Sequence, residues 1–224
     1  MNRQNSKIPI AREGVPFIAP LLAISILLWI LRLPLLAGVF SLLALFVLYF
    51  FRDPERSIPA GEKAVLSPAD GTVIQVRPCR EERFLKGPAI QISVFMSLFN
   101  VHVNRNPLSG RILDIAYSPG RFFRANLDQA SSANEQNALL IETIKGTRVV
   151  VVQVAGLIAR RIVCWVRRGD CVERGRRFGL IRFGSRVDTF LPLEADIRVK
   201  RGMKVRGGET VLAILASKDT GAEP

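Results

Sequence analysis

Histidine occurs once in the 224 residues, cysteine three times, and tryptophan and tyrosine twice each. Each scarcity excludes a class of function. A zinc site needs several His and Cys ligands at short spacing, whereas His102 stands alone and Cys79, Cys164 and Cys171 form no C-x-x-C pair. Three scattered cysteines also make no disulfide framework and suit reduced thiols in a cytoplasmic domain. Grips on single-stranded nucleic acid interleave basic residues with aromatic platforms, and two Trp and two Tyr among 32 Lys and Arg supply few. Acidic residues are short too: 19 Asp and Glu leave a formal charge of +13. With nucleic acid disfavoured, the polyanion suited to that charge is the anionic surface of a bilayer.

Apolar residues, by contrast, make up 49% of the chain and are unevenly placed. Residues 1–14 are polar and basic (Arg3, Lys7, Arg12), and residues 15–51 form one apolar block interrupted only by Arg32 and Pro34. A helix needs about 20 apolar residues to span a bilayer. The halves 15–31 and 33–51 are each near that length, with Arg32-Leu33-Pro34 as the turn. The block reads as a helical hairpin anchor, either crossing as two short spans or dipping into one leaflet. Both arrangements put its ends on one side, and the basic flanks, which continue in Arg52 and Arg56, make that side the cytoplasm. A secretory signal peptide fits less well, because the block is too long and no small-x-small site follows it.

From residue 52 onward the texture becomes short β-branched runs broken by Gly, Pro and Asp. The runs 71–76, 89–96, 147–156 and 196–202 read as strands, and 127–138 as one polar surface helix. An internal echo accompanies them. Arg168 to Gly175 and Arg201 to Gly208 both read R-G-x-x-V-x-x-G, with glycines for turns and one valine for a core. Paired turns of this kind occur in barrel-sandwich folds such as lipoyl and biotinyl carriers. The carrier lysine is absent, since Gly184-Ser185 lies between the repeats instead. The predicted class is mainly β (α+β): a barrel-sandwich-like domain over 52–224 behind the membrane anchor.

Three segments carry chemistry. Asp70, in Ser67-Pro68-Ala69-Asp70-Gly71, suits a turn as well as a site. His102, in Asn100-Val101-His102-Val103-Asn104, is the one side chain whose ordinary pKa lies near neutrality. It ends a β-run, where it can face a loop-built cleft or be satisfied by a backbone carbonyl. Gly184-Ser185, in Arg182-Phe183-Gly184-Ser185-Arg186-Val187-Asp188, reads as a bulge. It equally reads as a serine beside a carbonyl left open by glycine, with a base and an oxyanion stabiliser completing a site.

Taken in order, these three motifs resemble the phosphatidylserine decarboxylases, specifically the short form of bacteria and archaea. Gly120 to Asn126 and Asn134 to Asn137 fit the same pattern, and the resemblance covers most of 50–215. It implies that Asp70 orients His102, that His102 is the base, and that Ser185 becomes a covalent pyruvoyl cofactor as the chain cuts itself between Gly184 and Ser185. The products are a β chain ending at Gly184 and an α chain from 185 to Pro224, a heterodimer that dimerises further. The implied reaction joins the pyruvoyl carbonyl to the amine of phosphatidylserine as a Schiff base and releases CO2 and phosphatidylethanolamine. No metal or diffusible cofactor is required. Two positions depart from the longer members: Phe183-Gly184-Ser185-Arg186 replaces L-G-S-T, and Phe99 replaces a second histidine. The phosphate ligands therefore stay open among Arg121, Arg124, Arg182 and Arg186. The rival from another class is a non-enzymatic, membrane-tethered barrel-sandwich adaptor or carrier. It explains the anchor and the echo but not the company of Asp70, His102 and Ser185.

Overall fold

The computed structural model describes residues 9–120, 134–156, 161–182 and 184–216. Two helices come first, α1 (Val15–Ile30) and α2 (Pro34–Phe50). Each has proline in its first turn, where the missing N–H breaks no helical bond. They are apolar all round, the pattern of a helix surrounded by protein or lipid. Among the described residues no protein covers their outer faces: Leu35, Leu42 and Ile30 are 70–83% exposed. The inner faces are small instead. Ala37 and Ala44 are buried, and Ser25 Oγ donates to Ala37 O at 3.0 Å and meets Ser41 Oγ at 2.7 Å. Helices in lipid associate through such small residues and polar bonds, because the hydrophobic effect gives them no drive. The stretch Arg12–Ile30, 19 residues, is long and apolar enough to cross a membrane. The 17 residues of α2 rise about 25 Å, against a hydrocarbon core of about 30 Å.

The two ends of the hairpin are stapled together. Ala11 N donates to Phe51 O at 2.8 Å and Asp53 N to Pro9 O at 2.7 Å. Phe50, Phe51 and Ala11 then bury themselves against Val101, Val103 and Leu180 of the β domain.

That domain contains fourteen strands among the described residues: β1 (Ala64–Leu66), β2 (Gly71–Glu81), β3 (Gly87–Met96), β4 (Val103–Arg105), β5 (Gly110–Ser118), β6 (Gln136–Glu142), β7 (Arg148–Val154), β8 (Ile162–Cys164), β9 (Cys171–Val172), β10 (Arg177–Ile181), β11 (Ser185–Leu191), β12 (Asp196–Ile197), β13 (Lys204–Val205) and β14 (Val211–Ile214). The largest sheet runs β13-β2-β3-β11-β7-β6-β5-β9, and two three-stranded sheets run β1-β14-β12 and β4-β10-β8. All pairs are antiparallel. The long sheet curls, and Arg83 in the β2–β3 loop donates across to Ala116 O and Ser118 Oγ of β5. The protein is thus mainly β with an apolar helical N-terminus, as the sequence predicts. The predicted helix over 127–138 fares differently. Residues 127–133 lie outside the described set, and 136–138 open β6, where Ala138 joins an apolar layer with Val150 and Val152.

The sequence echo becomes an approximate twofold relation. Val172 in β9 and Val205 in β13 are both buried, at opposite edges of the long sheet. Gly169 and Gly202 share φ +92°, and their N–H groups donate to Ile112 O and Val73 O at 2.8 Å each. The relation extends to the segments these turns face. Gly208 N donates to Ser67 O and Gly175 N to Asn106 O, again at 2.8 Å. Ser67-Pro68-Ala69-Asp70-Gly71 is therefore the counterpart of Asn106-Pro107-Leu108-Ser109-Gly110. The frame is duplicated, yet only one half carries Asp70 and only the other His102.

Candidate active site

Asp70 ends the turn before β2. Its Oδ1 accepts Gly207 N at 2.7 Å and its Oδ2 accepts Arg56 Nη2 at 2.7 Å. Ser109, its twofold counterpart, accepts Arg174 N through Oγ at 3.0 Å, so the turn-bracing role is common to both halves and the charge is peculiar to one. Arg56 belongs to the linker Arg52-Asp53-Pro54-Glu55-Arg56 that leaves the anchor. In the same linker Arg52 Nη2 donates to Phe99 O at 2.7 Å, and Asp53 is buried between Arg105 and Arg177. The linker therefore clamps the apolar hairpin to the β domain.

His102 precedes β4 and is fully buried. Phe50, the last residue of α2, lies on its ring, with centroids 4.1 Å apart. Its Nδ1 is 2.9 Å from Asn100 O. A carbonyl only accepts, so Nδ1 carries hydrogen and Nε2 holds the lone pair of the neutral ring. Burial pulls the imidazole pKa down from 6.5 to about 4, with Arg52 adding to the shift and the Asn100 carbonyl opposing it. The ring is thus neutral at neutral pH, with the Nε2 lone pair free to accept a proton. No hydrogen bond joins it to Asp70 among the described residues: Asn100 O occupies Nδ1, and Arg56 and Gly207 hold the carboxylate.

Ser185 opens β11, opposite Met96 of β3, and is fully buried. Neither its Oγ nor His102 Nε2 has a hydrogen-bond partner among the described residues. Leaving a buried polar atom unpaired costs on the order of 1–3 kcal/mol, and the described residues hold others of the kind at Asn106 and Thr189. Ser185 and His102 are near in topology, since Ile181 N donates to His102 O at 3.4 Å and three residues separate Ile181 from Ser185. Gly184 takes φ +63° with no atom within 4 Å of where a Cβ would stand. That conformation suits glycine.

Of the arginines weighed for a phosphate, Arg186 is buried in a two-point ion pair with Asp188, at 2.9 and 3.0 Å. Arg182 lies with its guanidinium 5.2 Å from the Phe17 ring of α1, where anchor meets domain. Arg121 and Arg124 lie outside the described residues. Sequence reasoning missed Phe50, Arg56 and Asn100. Phe50 and Arg56 read as the end and the basic flank of a membrane segment, and Asn100 acts through its backbone, which no side-chain pattern reveals.

Comparison with known proteins agrees with this geometry. The profile of the family "Phosphatidylserine decarboxylase" matches residues 43–213. A phosphatidylserine decarboxylase proenzyme of Geobacter metallireducens is 52% identical over 217 residues, covering 95% of this chain and 99% of the relative. Proenzymes of the same name from Geotalea uraniireducens (50% identical, 95% and 99% covered) and Syntrophus aciditrophicus (52% identical, 91% and 96% covered) match as fully. With the match running from the anchor through β14 and including Asp70, His102 and Ser185, the chain belongs to the phosphatidylserine decarboxylase family.

Proposed function

We propose that this protein decarboxylates phosphatidylserine to phosphatidylethanolamine at a membrane surface, using a pyruvoyl group that it makes from its own Ser185. The observation that carries the reading is the pair of buried atoms without a hydrogen-bond partner among the described residues, Ser185 Oγ and His102 Nε2, together with the positive φ of Gly184. His102 Nε2 accepts the hydroxyl proton as Oγ adds to the Gly184 carbonyl carbon. The Gly184 C–N bond breaks, the departing amine takes the proton back from His102, and an ester joins Gly184 to Oγ. Loss of the Ser185 α-proton with rupture of the Cβ–Oγ bond frees the Gly184 carboxylate. Water then releases ammonia from the dehydroalanine left behind, and residue 185 is pyruvoyl.

The position fits such a group, because β11 holds residue 185 buried at the start of a paired strand. A pyruvoyl carbonyl supplies an electron sink for the pair released with CO2. His102 holds or returns the proton at the reacting carbon. Asp70 acts as a positioning residue: through Arg56 it fixes the linker that carries Phe50 onto the His102 ring. The hairpin and the charge of +13 keep the site at an anionic surface, each basic residue near it contributing about 1 kcal/mol. The basic flanks put the β domain on the cytoplasmic side, and the cut chains stay together as strands of one sheet.

Intact mass spectrometry beside Ser185→Ala tests the reading. Cleavage gives a 40-residue fragment (224 − 184) with a blocked amino terminus from wild type only. If both chains remain whole while folded, the tethered adaptor becomes the better account.

A further inference from the structure

Behind Ser185 the domain interior holds three buried amides that the reaction above does not use: Asn137 of β6, Gln153 of β7 and Asn104 of β4. They form a directional chain. Asn137 Nδ2 donates to Gln153 Oε1 at 3.0 Å, Gln153 Nε2 donates to Asn104 Oδ1 at 2.8 Å, and Asn104 Nδ2 ends on Met96 Sδ at 3.7 Å. Each amide fixes the next, so the orientation of Asn104 is set from two strands away. The path is kept clear by Gly179, the register partner of Asn104. A Cβ at Gly179 would stand 2.8 Å from Gln153 Nε2.

The chain ends beside the scissile residue. Met96 is the cross-strand partner of Ser185, and both are fully buried. His102 stands two residues before Asn104 in the chain. A primary amide has two N–H groups and a thioether is a weak acceptor. Asn104 therefore reaches this end of the site with one N–H weakly held and the other without an acceptor among the described residues. Placing a strong donor, at the cost of a buried network, against a sulfur atom is poor economy for stability alone. It is what stabilising a charge that appears only during reaction requires.

We propose that Asn104 is the oxyanion donor of self-cleavage: its Nδ2 exchanges Met96 Sδ for the oxygen of Gly184 when Ser185 Oγ adds to that carbonyl, with Gln153 and Asn137 as positioning residues. The assignment rests on the self-cleavage reading and deepens it.

The test is a time course of self-cleavage by the full-length protein in membranes, read by intact mass. Asn104→Leu combined with Gln153→Leu removes the donor and its support together, so that only Asn137, farthest along the chain of amides, loses its acceptor. Asn104→Asp keeps the shape and replaces the NH2 with oxygen. Both variants slow cleavage roughly 100-fold or more, the effect of losing one oxyanion donor. Hydroxylamine does not rescue either, because the ester it would cut never accumulates. A folded variant that cuts within about threefold of wild type overturns the assignment. So does hydroxylamine release of a fragment beginning with Ser185 at the wild-type rate, which would place the donor after the ester. Loss of fold in both variants makes the chain of amides a stability device and also overturns it. Ser185→Ala separates the two levels. If wild type stays whole, or Ser185→Ala is cut, self-cleavage at Gly184 itself fails. If those controls hold and the Asn104 variants cut normally, only the donor assignment fails.

Discussion

The titration of His102 gives the sharpest check on the site. The ring is fully buried against Phe50, and desolvation, reinforced by Arg52, lowers its pKa from 6.5 to about 4. Between those values the unfolded chain binds a proton that the native chain does not, so native stability is lost as pH falls through the window from 6.5 to about 4. A gap of about 2.5 on the pH scale, at about 1.4 kcal/mol for each step of one, is worth about 3 kcal/mol at the acid end. Because the chain has one histidine, a single imidazole Cε1–H resonance reports it directly in the uncut Ser185→Ala protein in detergent micelles. The expected result is a neutral ring at pH 5.5 and a midpoint near 4. Self-cleavage by wild type then holds its rate from neutral pH down to about 5 and falls below that. Phe50→Ala removes the ring that lies 4.1 Å away, admits water and moves the midpoint up toward 6.5. A wild-type midpoint near 6.5, or one indifferent to Phe50→Ala, refutes the claim that the end of the anchor keeps this base dry and neutral.

Two further substitutions probe the frame. Asp53→Ala strands the buried guanidinium groups of Arg105 and Arg177 and is expected to cost about 3–5 kcal/mol, the range for breaking a buried ion pair. An unchanged melting temperature by calorimetry rules out the linker as a clamp. Gly169→Ala and Gly202→Ala each place a side chain at φ +92° in open space, so strain alone acts and each costs about 1–2 kcal/mol. Clearly unequal losses in denaturant unfolding would show that the two turns are not equivalent.

Much of this was legible in the residues. Period-two runs of Val and Ile announced β2, β3 and β7, because a strand buried on one or both faces needs apolar side chains at fixed spacing. The echo R-G-x-x-V-x-x-G announced two like turns, because a tight reversal followed by a buried side chain leaves few choices. What escaped was everything built by long-range pairing. The stretch 136–138, polar at its start, reads as the end of a helix until β5 and β7 are seen flanking it. The counterpart of Ser67–Gly71 in Asn106–Gly110 shares only its proline and final glycine, too little to notice before backbone bonds align the two.

The sequence by itself determined the apolar N-terminal helices, the β class and the family, since composition, periodicity and short motifs act locally along the chain. Tertiary structure decided who serves whom. It set Phe50 of the anchor on His102, gave Nδ1 to the Asn100 carbonyl, tied Asp70 to Arg56, and ran Asn137 and Gln153 up to Asn104 behind Ser185. These partners lie from two to more than fifty residues apart. Burial, which makes an imidazole neutral and an unpaired hydroxyl costly, exists only once the sheets have closed around them.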